Sequence, residues 1–118
     1  MYPKSLQKYS TEEEIIGTWI NGKPIYQKVF VVSTPAEINT DTAVLDIPSH
    51  TETHIEMYAQ VYADNIGVIV PVPYYFHSGN YGMIWRDLNT KKIMMLLNLN
   101  AYCNRELMII LKYTKSTD

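Results

Sequence analysis

Between two runs rich in β-branched and aromatic residues stands Asn21-Gly22, in the stretch YSTEEEIIGTWINGKPIYQKVF (9–30). An Asn-Gly pair flanked in this way is the strongest short-range signal for a β-hairpin. A type I′ turn needs positive φ at both central residues, and these two residue types tolerate it best. A two-residue turn pairs Ile20 with Lys23, Trp19 with Pro24 and Gly17 with Tyr26. Trp19, Pro24 and Tyr26 then share one face, and Gly17 leaves room for the Tyr26 ring to lie across it. The expected product is an aromatic-clamped hairpin, a fold element rather than a piece of catalytic machinery.

The rest of the chain keeps the same two-residue period. HIEMYAQVYA (54–63) sends Ile55, Met57, Ala59, Val61 and Ala63 one way and Glu56, Tyr58, Gln60 and Tyr62 the other, which predicts a half-buried antiparallel strand followed by a turn at Asp64-Asn65. In IGVIVPVPYYF (66–76), Pro71 and Pro73 remove two N–H groups from the same side, so the segment is expected as an edge strand or a frayed strand end. MIWRDL, KKIMMLLNL and RELMIILKY predict three more strands, and 93–97 and 107–111 are apolar at every position, as for strands covered on both faces. STPAEINTDT (33–42) and HSGNYG (77–82) are loops, AVLDIP is a short strand or connection, and Ser10 is placed to cap a short helical turn over STEEE. No long amphipathic helix is written anywhere. Seven or eight short strands with turns between them predict an all-β fold, an antiparallel β-sandwich of jelly-roll-like type. It occupies 1–118 as one domain, with 1–13 as a polar lead-in.

Composition narrows the function. A net charge of −2 without any basic block lacks the electrostatic footprint of a nucleic-acid binder. Cys103 is the single cysteine, so no intrachain disulfide forms. MYPKSLQKYS has no apolar signal region and no run reaches membrane-spanning length, so folding in a reducing cytoplasm without membrane insertion is expected. Ten tyrosines stand beside only two phenylalanines, an excess of rings with a polar tip that suits half-wet contact surfaces.

Few constellations carry chemistry. SHTETHIE (49–56) places His50, Glu52, His54 and Glu56 on one face if the segment is extended, with His50 and His54 as the only metal candidates. Alternate residues on a strand stand about 7 Å apart, too wide to chelate one ion without a bend, so the reading as a polar strand start is favoured. Glu12 with Glu14, or Asp41 with Asp46, are the acidic pairs a glycosidase would need, but solvated surface explains them better. The cysteine has no neighbouring histidine, and no nucleophile elbow, zinc-protease motif or phosphate loop is present, so no catalytic residue and no cofactor is assigned. PYYFHSGNYGMIW (73–85) is richer. Tyr75, Tyr81 and Trp85 offer rings that stack on pyranose faces, and His77, Ser78 and Asn80 offer short groups that bond hydroxyls, while Tyr74 and Phe76 are expected in the core.

The two ends carry a resemblance. The Tyr-Ser-Thr-Glu-Glu lead, the hairpin residues Gly17, Trp19, Ile20, Asn21, Gly22, Lys23, Pro24 and Tyr26, and the closing run Tyr113, Thr114, Lys115, Ser116, Thr117 and Asp118 resemble a domain of bacteriophage virion proteins, commonly the C-terminal domain of tail-fibre or baseplate-type structural proteins. The middle, 34–104, agrees in layout only. The resemblance implies a virion protein assembled in the host cytoplasm, standing alone or cut from a longer fibre. It implies a homo-oligomer, a trimer by analogy with fibres, that contacts other virion proteins and a host-surface glycan and is not an enzyme. The alternative is a purely structural head or tail decoration or adaptor protein.

Overall fold

Nine strands form along these alternating runs and stack as two antiparallel sheets. The computed structural model describes residues 10–117, so the start of the lead-in and Asp118 lie outside the described residues. The larger sheet contains β1 (Glu14–Thr18), β2 (Pro24–Ser33), β9 (Glu106–Lys115), β4 (Thr51–Ala63) and β5 (Val68–Val72), in that spatial order. The smaller contains β3 (Thr42–Asp46), β8 (Lys92–Leu97), β7 (Tyr81–Asp87) and the two-residue β6 (Tyr74–Tyr75). The division of 66–76 into β5 and the two-residue β6 brings the number above the expected seven or eight. β2 pairs with β9 in one sheet and β3 with β8 in the other, bringing distant parts of the chain together in a β-sandwich, while β1–β2, β4–β5, β6–β7 and β7–β8 are local hairpins.

The core lies between the sheets and is built from one phase of each run. Ala59, Val61 and Ala63 of β4 and Leu107, Ile109 and Leu111 of β9 face Ile93, Met95 and Leu97 of β8. Each large apolar side chain so buried contributes about 1.5–3 kcal/mol. As the two prolines require, β5 has β4 as its only sheet neighbour, and Val70 and Val72 close that end of the core. Pro73 then hands the chain to the smaller sheet.

Four expectations change in detail. The first hairpin has a three-residue loop: Gly22 N–H donates to Trp19 O (2.9 Å) and Trp19 N–H to Lys23 O (2.8 Å). Only Gly22 takes positive φ (+85°) in this turn, and the Asn21 side chain accepts from Lys23 N–H. This is a turn with a glycine bulge rather than type I′. With a further bulge between Ile15 and Gly17, Gly17 comes opposite Ile25 and Ile15 opposite Tyr26. Tyr26 therefore does not cross Gly17. It stacks on Tyr113 of β9 (centroids 6.1 Å apart), and Trp19 remains half-buried outside the core.

Second, β4 carries two bulges, at 51–54 and 54–56. His54 comes opposite inward-facing Tyr113 while Glu56 comes opposite Lys112, so the His/Glu series does not share a face. Third, the central strands are sealed on one face only: Met94, Leu96, Met108 and Ile110 are half-buried on the outer sides. Fourth, Ser10 makes a turn, its hydroxyl accepting from Glu12 N–H (2.9 Å), without starting a helix.

The two ends of the chain meet in one seam. Tyr26 pairs with Tyr113, Lys115 lies over the Tyr26 ring (4.4 Å), Lys23 reaches Lys115 O (3.3 Å), and the Glu13 carboxylate accepts from both Tyr113 and Lys115. Burial acts to raise the Glu13 pKa, but the hydrogen bonds from Lys115 and Tyr113 and the lysine charge outweigh it and hold the group below the usual carboxylate value. Glu13, Lys23, Tyr26, Tyr113 and Lys115 thus join the first hairpin and its lead-in to the last strand.

Candidate functional site

The candidate site grows from the β6–β7 hairpin. Tyr74 points inward opposite Gly82, and a Cβ on Gly82 would stand 2.3 Å from Tyr74 Cε2, so the ring needs the missing side chain. The aromatic-over-glycine contact expected at Gly17 is formed here instead. Tyr74 packs against Phe76 (4.9 Å) and edge-on to Tyr102 (5.6 Å), as a core residue should, though Phe76 itself remains 39% exposed. Burial pushes the Tyr74 hydroxyl well above its ordinary pKa, with Tyr102 and Cys103 adding to it, and the hydroxyl has no hydrogen-bond partner among the described residues.

With Tyr74 inside, Tyr75 must point out. It pairs with Tyr81, and Met83 and Trp85 follow on the same outer face, because Gly82, Ile84 and Arg86 occupy the inner phase of β7. Tyr75 is 77% exposed and Met83 45%. Met94 and Leu96 of β8 lie beside them, paired with Trp85 and Met83. The result is a stripe of rings and soft apolar groups across the smaller sheet. Trp85 stands about 13 Å along the strand from Tyr81, so it belongs to the stripe but not to the loop.

The loop is stiff. Phe76 N–H donates to Asn80 O (2.9 Å) and Gly79 N–H to Phe76 O (2.8 Å), with Gly79 at φ +88°, the same three-residue design as the first hairpin. Asn98 locks it from the next connection: its side chain accepts from Tyr81 N–H (2.8 Å) and donates to Gly79 O (2.9 Å). His77 and Ser78 are exposed at the tip, and the side chains of His77, Ser78 and Asn80 form no hydrogen bond among the described residues. The structure thus brings Tyr75, Tyr81, His77, Ser78 and Asn80 together at one end, with Trp85 on the same face further along.

His50 and His54 sit at the opposite end, where an open cleft of about 970 Å³ is bounded by the β3–β4 connection, the β7–β8 turn and Ser116. Among the described residues no group of three or more His, Cys, Asp or Glu is arranged to hold a metal ion. The flanking carboxylates are occupied: Glu52 pairs with Lys23 and Asp46 with Lys92 (2.5 Å). Asp46 lies at this ion pair, and Glu13, between Glu12 and Glu14, is the carboxylate that is engaged.

Sequence reasoning missed Met83, Asn98 and Arg86. Arg86 left a trace, since it falls in phase with inward-facing Gly82 and Ile84; Asn98 left none, because its partners lie in another segment. No protein-family model, curated protein or solved structure matches the chain.

Proposed function

We propose that this chain is a bacteriophage virion domain of tail-fibre or tail-tip type that attaches to a host-surface glycan through the β6–β7 end of its smaller sheet. One observation carries the reading: Tyr75, Tyr81, Met83 and Trp85 stand on one outer face, beside a locked loop whose His77, Ser78 and Asn80 side chains are free to bond. Rings supply contact area to a pyranose face, and the loop groups supply orientation. The resemblance at the two chain ends adds the virion setting, including neighbouring virion proteins as partners. A shallow sugar site of this kind binds near millimolar, about −4 kcal/mol. Assembly of a trimer raises the apparent affinity by roughly two to four orders of magnitude through avidity.

A second reading, a decoration or adaptor protein without receptor binding, is favoured by the outer face of the larger sheet. There Val31, Tyr58, Tyr62 and Ile69 are 55%, 43%, 45% and 56% exposed, a patch of the kind that marks protein contacts. In the attachment reading the same face joins the copies of the oligomer. Binding of the purified protein to an array of bacterial surface glycans separates the two. The attachment reading expects specific binding that is lost in Asn80→Ala/Tyr81→Ala while melting temperature and assembly mass stay constant. Unchanged binding by that variant, or none by the wild type, puts the adaptor reading first.

A further inference from the structure

The described residues include eight lysines and arginines, and all but two are accounted for. Lys23, Lys92, Arg105, Lys112 and Lys115 form ion pairs with carboxylates, and Lys28 lies over the Phe30 ring. The two that remain, Arg86 and Lys91, are at the same end of the sandwich. Lys91 lines the cleft with His50 and His54. Arg86 points between the sheets and lines a small cavity of about 10 Å³ with His54, Leu111 and Tyr113. The cavity and the cleft share the wall formed by Ile47, Pro48, Thr51 and His54, so Arg86 stands behind the wall that His54 presents to the cleft.

A half-buried guanidinium without a carboxylate is unusual, because burial removes its water and nothing restores the interaction. No hydrogen bond or ion pair reaches the Arg86 guanidinium among the described residues. The nearby acids do not serve it: Asp46 and Glu52 are paired with lysines, Glu56 with Lys112, and Asp87 accepts from Asn89 and Thr90 N–H in the β7–β8 turn. Once those pairs are set aside, the uncompensated groups of this end are Arg86, Lys91, His50 and His54, all of them bases. His50 is held at φ +64°, and its carbonyl accepts from Ser116 N–H (2.7 Å), which fixes the rim of the cleft in a backbone conformation few non-glycine residues adopt. Burial, and secondarily the Arg86 charge, keep His54 below the usual histidine range.

We propose that this cleft binds a tetrahedral oxyanion, a phosphate or sulfate group, between His50, His54, Lys91 and Arg86. These groups come from three separate segments: the 47–54 corner, β7, and the β7–β8 turn. Donors drawn from three segments suit the several oxygens of a tetrahedral anion better than the flat fork of a carboxylate. The cleft is also large enough for the group to be carried on a small polar molecule such as a sugar. The site is at the opposite end from the β6–β7 loop and stands whether or not that loop binds glycan.

The test is an NMR titration of the full chain with inorganic phosphate at constant ionic strength, read at the backbone amides. Saturating shifts are expected at His50, Thr51, His54 and Lys91, with none at 77–81. Arg86→Gln should weaken binding by at least about tenfold, since a hydrogen bond to a charged group is lost. If Arg86→Gln fails to fold, Lys91→Gln combined with His50→Asn, both on the exposed rim, must show a comparable loss. Glucose 6-phosphate binding more tightly than phosphate, with glucose silent, identifies a phosphorylated sugar; phosphate binding equally well identifies the free ion. No saturating shift into the tens of millimolar, shifts indifferent to these substitutions, or acetate binding as tightly as phosphate would overturn the proposal.

Discussion

Tyr74 and Gly82 show how much can turn on one missing side chain. At Gly82 a Cβ meets Tyr74 Cε2 at 2.3 Å and Leu97 Cδ2 at 3.0 Å, and the ring is boxed in by Phe76 and Tyr102. Gly22 differs: nothing lies within 4 Å of its Cβ position, so its only demand is a φ of +85°. Gly82→Ala should therefore cost about 1–3 kcal/mol by overpacking, more than Gly22→Ala, and Tyr74→Leu should recover part of the Gly82→Ala loss but none of the Gly22→Ala loss. Thermal melts of the four variants decide this, and equal losses at the two glycines would refute it. Glu13 gives a pH signature at the same scale. Its native pKa is lowered from the ordinary 4.5, so its added stability is present above that value and is lost as pH falls through the native value. The melting-temperature gap between wild type and Glu13→Gln should be widest at neutral pH and close below pH 4.5. A gap that does not change with pH would mean that the carboxylate is not engaged in solution.

At the scale of elements, strand positions were legible and register was not. Alternation in 54–63 and the prolines of 66–76 are local signals; they place the β5 edge and the β4 core face from Met57 to Ala63 correctly, while Ile55 falls at the bulge and outside the core cluster. Asn21-Gly22 identifies the hairpin, but loop length depends on which residues take positive φ, and Gly22 alone does. That single extra loop residue, with the bulge near Gly17, moves Tyr26 from its expected partner to the Tyr113 seam. The β4 bulges were hidden for a similar reason: they answer to β9 and to the corner at 47–50, both distant in sequence or undefined by it. So the residues of the aromatic stripe were readable but not their arrangement: Tyr81, expected in the 77–82 loop, opens β7 and pairs with Tyr75 across the hairpin. The cleft was not readable, because it exists only once a bulge turns His54 inward toward Arg86.

For the whole molecule, the proposed attachment gives the two outer faces different work. Val31, Ile69, Tyr58 and Tyr62 are the exposed apolar groups on the outer face of the larger sheet, and the stripe with its loop lies on the smaller. If the larger sheet joins the copies, light scattering should give a mass above that of one 13.7 kDa chain at micromolar concentration, and Val31→Ser/Ile69→Ser should reduce it to the monomer. A monomeric wild type would remove the avidity on which attachment depends.

Adsorption of the purified protein to bacterial cells, measured side by side for variants of the two faces, tests the attachment account most directly. Tyr75→Ser/Tyr81→Ser should abolish adsorption while leaving the assembled mass intact. Val31→Ser/Ile69→Ser should dissociate the assembly and weaken adsorption by roughly two to four orders of magnitude through lost avidity, without changing which glycan is preferred. Full adsorption by Tyr75→Ser/Tyr81→Ser would contradict the account.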